Sequence, residues 1–483
     1  MSPLHREMIC LVLRCLDYPV VGNGLLWVER SSNRYTKSQT FVSLVQKRSA
    51  MLRGHRFQNN GNDRRSFIKF LSAAPLFVTI GSRSLASTVA ATTRRFASAH
   101  VYTRLGVRPF INARGTWTYL SGSLELPEVR QAVEDASQHF VDMFELQRAV
   151  GKRLAELSGA ESGMVTSGSA GAMAVATAAC IAGSDPNNIW QLPDTTGLKH
   201  EVVMLGGRSA FDNAIRLAGG KLVLAHGVED MQSAINAQTA MVYTTWRDDR
   251  LVQALKITRK AEVPMLLDDA AGIPPFENLT RYAKMGVDLY CFSGGKGLRG
   301  PQCSGILLGR KYLIDAALAN SNPWEGAVCR AMKVGKEEII GILAAIEYWS
   351  HADLGALNKE WRSRVERIEK LVQTVPGVTT SIEIPEEGNS YPTLTVMWDE
   401  KRFGMKVAEC DQRLREGDPR IEVLTNSNPS LVPVVREGDD PKRKQEAPPN
   451  QLQIVSMTLR VGEDLTVGNR LRQILANARK QSV

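Results

Sequence analysis

The 483-residue sequence predicts an α/β protein: a large unit with a mostly parallel sheet covered on both faces, then a smaller α+β unit. Three observations predict it. From about residue 163 to residue 292, short apolar runs of strand length alternate with helical stretches. Beyond about Gly305 that rhythm gives way to two long helical patterns and then to separated strands. Residues 1–99 differ in composition from everything that follows and mark off a leader. The expected divisions are therefore a leader over 1–99, a large domain over 100–330 and a small C-terminal domain over 331–483.

The leader comes first. It carries 15 of the 60 Lys and Arg residues but only 4 of the 50 Asp and Glu residues, a net charge of +11. Residues 100–483 then sum to −1, so the chain's net charge of +10 resides wholly in the leader. The main body has no global attraction for phosphate backbones, and nucleic acid is not an expected partner. Inside the leader, Asp63-Arg64-Arg65-Ser66-Phe67-Ile68-Lys69 precedes an apolar run over 70–80. A charged region before a short hydrophobic one is the layout of an export signal. The Arg64-Arg65 pair resembles a twin-arginine signal, so a periplasmic or exported location is expected, with the cytoplasm as the alternative. Ala97-Ser98-Ala99 and Ser84-Leu85-Ala86 offer cleavage sites, and Met51, thirteen residues before Arg64, is a natural start for such a signal.

The main body follows in order. Apolar spacings of three and four over 127–157 predict one helix. A strand over 163–166 runs through Ser167-Gly168-Ser169 into an Ala-rich helix over 172–182. Strands are expected at 202–205, 222–225, 240–244, 263–267 and 288–292. Helices follow over 336–350 and 358–375, then strands at 393–397, 421–424 and 453–459. The charged, Pro-containing stretch 435–450 reads as a solvated loop. Nothing reaches the roughly 20 apolar residues of a spanning helix, so no transmembrane segment is expected. The seven cysteines include no CxxC pair, and neither a metal site nor a disulfide framework is expected.

Two strand ends carry the chemistry. One apolar run ends in Asp268-Asp269; the next ends in Ser293-Gly294-Gly295-Lys296. Lys296 lies 28 residues after Asp268, room for one crossover helix, so both groups reach the crevice at the carboxyl edge of the sheet. Ser167, Gly168 and Ser169 open a helix, and helix starts bind anions. Ser293 and Arg299 flank Lys296 and are candidates for further phosphate contacts. The turn lacks the G-K-[ST] ending of a nucleotide P-loop. An amine, a carboxylate on the adjoining strand and a phosphate cradle are what pyridoxal 5'-phosphate (PLP) requires.

The segments Ile111-Asn112-Ala113-Arg114-Gly115-Thr116, Val165-Thr166-Ser167-Gly168-Ser169-Ala170, DDAAGIPP over 268–275, SGGKGLRGPQ over 293–302 and MKVGKEE over 332–338 resemble one branch of the fold-type-I PLP enzymes. It is the selenocysteine-synthase-like branch, which includes L-seryl-tRNA(Sec) selenium transferase-like and D-glucosaminate-6-phosphate ammonia-lyase-like proteins. The resemblance spans about residues 105–476. It implies an aspartate-aminotransferase-like fold, with Lys296 as the Schiff-base lysine and Asp268 as the partner of the pyridine nitrogen. Asp269 competes for that role, and counting back from Pro274-Pro275 favours Asp268.

The resemblance further implies a lyase or transferase that eliminates or replaces a β-substituent of a small amino substrate, an amino acid or amino sugar acid. Seryl-tRNA(Sec) selenium transfer is the alternative, and a non-catalytic exported protein on the same scaffold is a second. Arg114, Arg330 and Arg420 are candidates for binding substrate anions, with Lys336 beside them. Phe211 and Trp246 are candidate walls for the ring. A homodimer or higher homo-oligomer is expected of the fold. Two positions depart from the pattern: Phe211-Asp212 stands where Tyr-Asp is frequent, and Cys329-Arg330 where Gly-Arg is frequent.

Overall fold

The computed structural model describes residues 101–208, 211–385, 390–425 and 451–481. The leader, with Arg64-Arg65 and the 70–80 run, and the 435–450 loop lie outside the described residues.

Twelve strands are described. They are β1 (Phe110–Ala113), β2 (Ser162–Thr166), β3 (Glu201–Leu205), β4 (Lys221–Ala225), β5 (Thr239–Thr244) and β6 (Met265–Asp268). Then come β7 (Leu289–Ser293), β8 (Gly305–Gly309), β9 (Val378–Glu383), β10 (Thr393–Trp398), β11 (Arg420–Val423) and β12 (Leu452–Val455). Seven form one sheet in the order β2-β8-β7-β6-β5-β3-β4. β8 runs against the other six: it pairs antiparallel with β2 and β7, and the remaining pairings are parallel.

This sheet is apolar on both faces, because each strand divides its side chains between two cores. Val203 and Leu205 enter one, Val202 and Met204 the other. On β6, Met265 and Leu267 share the first core and Leu266 the second. A strand's period of two therefore sends Asp268 to the face of Leu266 and Asp269 to the opposite one. The second core is roofed by the helix Gly168–Ala182, whose Ala and Gly residues allow close approach.

The helix Lys336–His351 packs on the helices Pro127–Ser137 and Met143–Ser158, whereas Leu354–Val372 packs on the antiparallel sheet β12-β10-β9. β1 pairs parallel with β11, and an isolated bridge between Leu424 and Gln453 links that pair to β12. Ile111 and Ala113 consequently share a core with Leu394, Val396, Ile421 and Val423. The N-terminal Ile111–Thr116 motif is carried to the C-terminal part of the chain.

The expected helix over 127–157 is two helices, Pro127–Ser137 and Met143–Ser158. Asp142 caps the second, its side chain accepting from the N–H groups of Phe144 (2.8 Å) and Glu145 (2.9 Å). Apolar spacing cannot register a break between two amphipathic helices; the Asp142-to-Glu145 capping signal can. The last strand ends at Val455 rather than residue 459. β1, β8, β9 and the helix Glu463–Gln481 were not anticipated. Among the described residues no helix is long and apolar enough to cross a membrane.

Candidate active site

β6 and β7 are parallel neighbours joined through the helix Glu277–Met285, and their register sets Asp268 beside Cys291. Asp268 Oδ2 accepts from the Tyr243 hydroxyl at 3.1 Å, and Oδ1 accepts from the Ala270 N–H at 3.1 Å. Asp269 points the other way. Its oxygens accept from Arg247 Nη1 at 2.8 Å and the Tyr282 hydroxyl at 2.7 Å. Burial pushes the Asp269 carboxyl up, and the Arg247 charge opposes that. Asp269 is thus fully buried and committed to structure, whereas Asp268 is half-buried on the face of the Gly168–Ala182 helix.

Lys296 stands in the turn after β7. Hydrogen bonds from Gly294 N to Ser304 O (2.8 Å) and from Gly300 N to Gly294 O (2.9 Å) close the turn. Its flanks must be glycine: a Cβ at Gly295 would lie 2.9 Å from the Gln302 Cα, and one at Gly297 2.3 Å from the Ile273 carbonyl oxygen. The turn therefore packs tightly and presents one long side chain. Among the described residues the Lys296 amine has no hydrogen bond or ion pair; it lies 5.9 Å from the centroid of the Phe211 ring. Burial pushes the Lys296 ammonium below the usual lysine range, and among the charges opposing this the Asp268 carboxylate acts most strongly. A desolvated amine of lowered basicity is an activated nucleophile.

The cradle lies at the end of β2. Ser167 precedes the helix without capping it by its side chain, so the first-turn N–H groups are left for another acceptor. Gly168 has φ +74°, and a Cβ there would meet nothing within 4 Å. The Ser169 hydroxyl is buried, and among the described residues it faces only the Cys291 thiol. A free amine, an oriented carboxylate, an uncapped helix start and a buried hydroxyl fit a cofactor that carries an aldehyde, a ring nitrogen and a phosphate.

Other expected site residues fall differently. Ser293 ends β7, half-buried, its N–H donating to Ala270 O at 3.1 Å. Arg299 adopts φ +57° and donates Nε to Leu124 O at 2.9 Å. This hydrogen bond ties Arg299 to the 121–126 segment. Arg114 is buried, its Nη1 donating to Val423 O at 2.9 Å and its guanidinium 5.8 Å from the Tyr119 ring. Arg420 is ion-paired with Glu422 on its own strand and sits over Phe110. Lys336 is paired with Glu337. Arg330 differs from these three. It is half-buried, its Nε is buried without a partner, and its guanidinium has no ion pair among the described residues. Sequence reasoning missed Tyr243, Cys291 and Arg247. Tyr243 left one signal, a hydroxyl in an otherwise apolar strand end; Arg247 left none.

No family model matches the chain. Curated relatives do. A 5'-C-glycyluridine monooxygenase-decarboxylase of a Streptomyces species is 31% identical over 339 residues, 66% of this chain and 83% of that protein. The D-glucosaminate-6-phosphate ammonia lyase of Salmonella typhimurium (strain 14028s / SGSC 2262) is 28% identical over 340 residues, 67% of this chain and 88% of that protein. An L-seryl-tRNA(Sec) selenium transferase of Moorella thermoacetica is 25% identical over 324 residues, 58% of this chain and 66% of that protein. Among solved structures, a D-glucosaminate-6-phosphate ammonia-lyase superposes with a TM-score of 0.65 at 26% identity, covering 78% of this chain and 98% of that one. Fold and site together define a PLP-dependent enzyme of fold type I. The chain belongs to the selenocysteine-synthase-like family of these enzymes.

Proposed function

We propose that this enzyme is a lyase or transferase that removes or replaces a β-substituent of a small amino substrate, an amino acid or an amino sugar acid. The observation that carries it is the half-buried amine of Lys296, without a hydrogen bond or ion pair among the described residues and under the influence of Asp268 from the adjoining strand end. When bound, PLP supplies an electron sink that labilises bonds at the substrate Cα.

The chain's own residues do the rest. Lys296 is the amine that holds the cofactor and later takes and returns the Cα proton. Asp268 keeps the ring nitrogen protonated. The N–H groups at the start of Gly168–Ala182, with the Ser167 and Ser169 hydroxyls, receive the phosphate. Ser293, across Gly305 of β8 from Thr166, is a further candidate for that phosphate. Arg330, whose Nε is buried without a partner among the described residues, is the favoured arm for a substrate carboxylate or phosphate. Elimination with release of ammonia ranks first, because the Salmonella relative and the superposed structure both bear that name. Seryl-tRNA selenium transfer ranks lower: residues 100–483 have a net charge of −1 and offer no field for a phosphate backbone. The exposed side chains of Phe140, Trp190 and Trp324 support a homo-oligomer that covers them.

The test is a panel of amino acids, amino sugar acids and their phosphates, read for ammonia, 2-oxo acid, carbon dioxide and oxygen uptake. The last two readouts cover the reaction named for the Streptomyces relative. Ammonia with an oxo acid is the expected result. Arg330→Ala is expected to raise KM about a hundredfold and leave PLP retention unchanged. An enzyme that holds PLP yet responds to no amino compound would leave the non-catalytic alternative standing.

A further inference from the structure

The acid at the end of β6 is gripped from both sides. Register places Tyr243 of β5 opposite Leu266, and Cys291 of β7 opposite Asp268. Tyr243, Leu266 and Cys291 belong to one core, the one roofed by the Gly168–Ala182 helix. The Tyr243 hydroxyl donates to Asp268 Oδ2 at 3.1 Å. Cys291 Sγ stands 3.6 Å from Oδ1, which also accepts from the Ala270 N–H at 3.1 Å. Both flanking side chains are out of solvent, at 2% and 0% exposure. Donors on each oxygen fix the plane of a carboxylate that would otherwise rotate. A phenylalanine would keep the ring of Tyr243 in its core and remove the hydroxyl that donates to Asp268.

We propose that Tyr243 and Cys291 are positioning residues that hold Asp268 in the orientation its cofactor requires, with Tyr243 contributing the larger part. This rests on the role given above to Asp268. Tyr243 contributes more because an O–H donor to a carboxylate is charge-assisted, whereas a thiol is a weak donor. Burial and the neighbouring Asp268 charge push the Cys291 thiol well up, so it remains a protonated S–H that faces the carboxylate.

The experiment measures PLP release from the purified holoenzyme in wild type, Tyr243→Phe, Asp268→Asn and the double variant, together with the melting temperature of each apo-protein. Tyr243→Phe is expected to release PLP about tenfold faster, a loss appropriate to one hydrogen bond to a charged group. In the Asp268→Asn background most of that effect is expected to vanish, because Tyr243 acts through Asp268. The pH midpoint of the bound cofactor's visible band is expected to move in Tyr243→Phe, while the apo-protein melts near wild type. Unchanged release and an unchanged midpoint would overturn the proposal, and so would equal effects in both backgrounds. Should Tyr243→Phe fail to fold, Cys291→Ala and Cys291→Ser decide. Faster release from the Ala variant than from the Ser variant supports the grip; equal release contradicts it. A wild type that retains no PLP at all defeats the assignment of Asp268 itself, and that result appears before any variant is made.

Discussion

Asp268 and Asp269 are consecutive in sequence and face opposite sides of the sheet. One carboxylate meets Tyr243 and Ala270; the other is locked between Arg247 and Tyr282. Their substitutions should therefore fail in different assays. Asp268→Asn is expected to lower turnover at least about a hundredfold, the scale of a lost electrostatic partner, with the melting temperature near wild type. Asp269→Asn is expected to cost about 2 kcal/mol of stability in a denaturant titration, because Arg247 is left facing a neutral group and screened only in part by solvent. Lys296 gives a pH test. In the folded apo-protein its ammonium is held below the usual lysine range, so between that lowered value and about 10.4 the unfolded chain binds more protons. Stability attributable to this group then rises with pH. Apo wild type is expected to be less stable than apo Lys296→Met at neutral pH and to close the gap as pH rises toward 10. A gap that widens or stays constant would contradict the burial of a titrating amine.

At the scale of elements, the strands that end in Asp268 and Lys296 were legible because each is a short apolar run stopped by a change of chemistry. The 28-residue spacing fits the single helix Glu277–Met285 between neighbouring strands. The choice between Asp268 and Asp269 was only half legible. It required knowing which core each strand face enters, and period two supplies that once Leu266 and Leu267 are assigned. Partners across strands were not legible. Register, not local sequence, sets Tyr243 and Cys291 around the acid. The fate of Arg114 was equally hidden, since its partner Val423 is 309 residues away along the chain. The cradle gives the element-scale prediction. Gly168 has φ +74° at the helix start, and a Cβ at Gly305 of β8 would lie 2.5 Å from the Gly168 carbonyl carbon. Gly168→Ala meets open space but a left-handed backbone, and is expected to cost about 1 kcal/mol of stability with weaker PLP binding in equilibrium titration. Wild-type affinity in that variant would place the phosphate elsewhere.

At the scale of the whole molecule, two kinds of sequence sit in one chain. The main body is near-neutral and folds around two cores beneath the site and a third built from both ends of the described residues. The basic leader is proposed as an address, and the twin-arginine route that it resembles suits a protein that folds around its cofactor before export. Replacing Arg64 and Arg65 together with Lys is expected to hold the protein in the cytoplasm when fractions are compared by immunoblot. An unchanged distribution would remove the leader assignment without touching the enzyme.

We propose that one amine, that of Lys296, binds the cofactor covalently. Borohydride reduction of the holoenzyme, followed by digestion and mass spectrometry, reads it directly. The expected result is a phosphopyridoxyl mass on the peptide containing Lys296 and on no other. A mark on a different lysine, or retained PLP with Lys296 unmodified, would contradict the account.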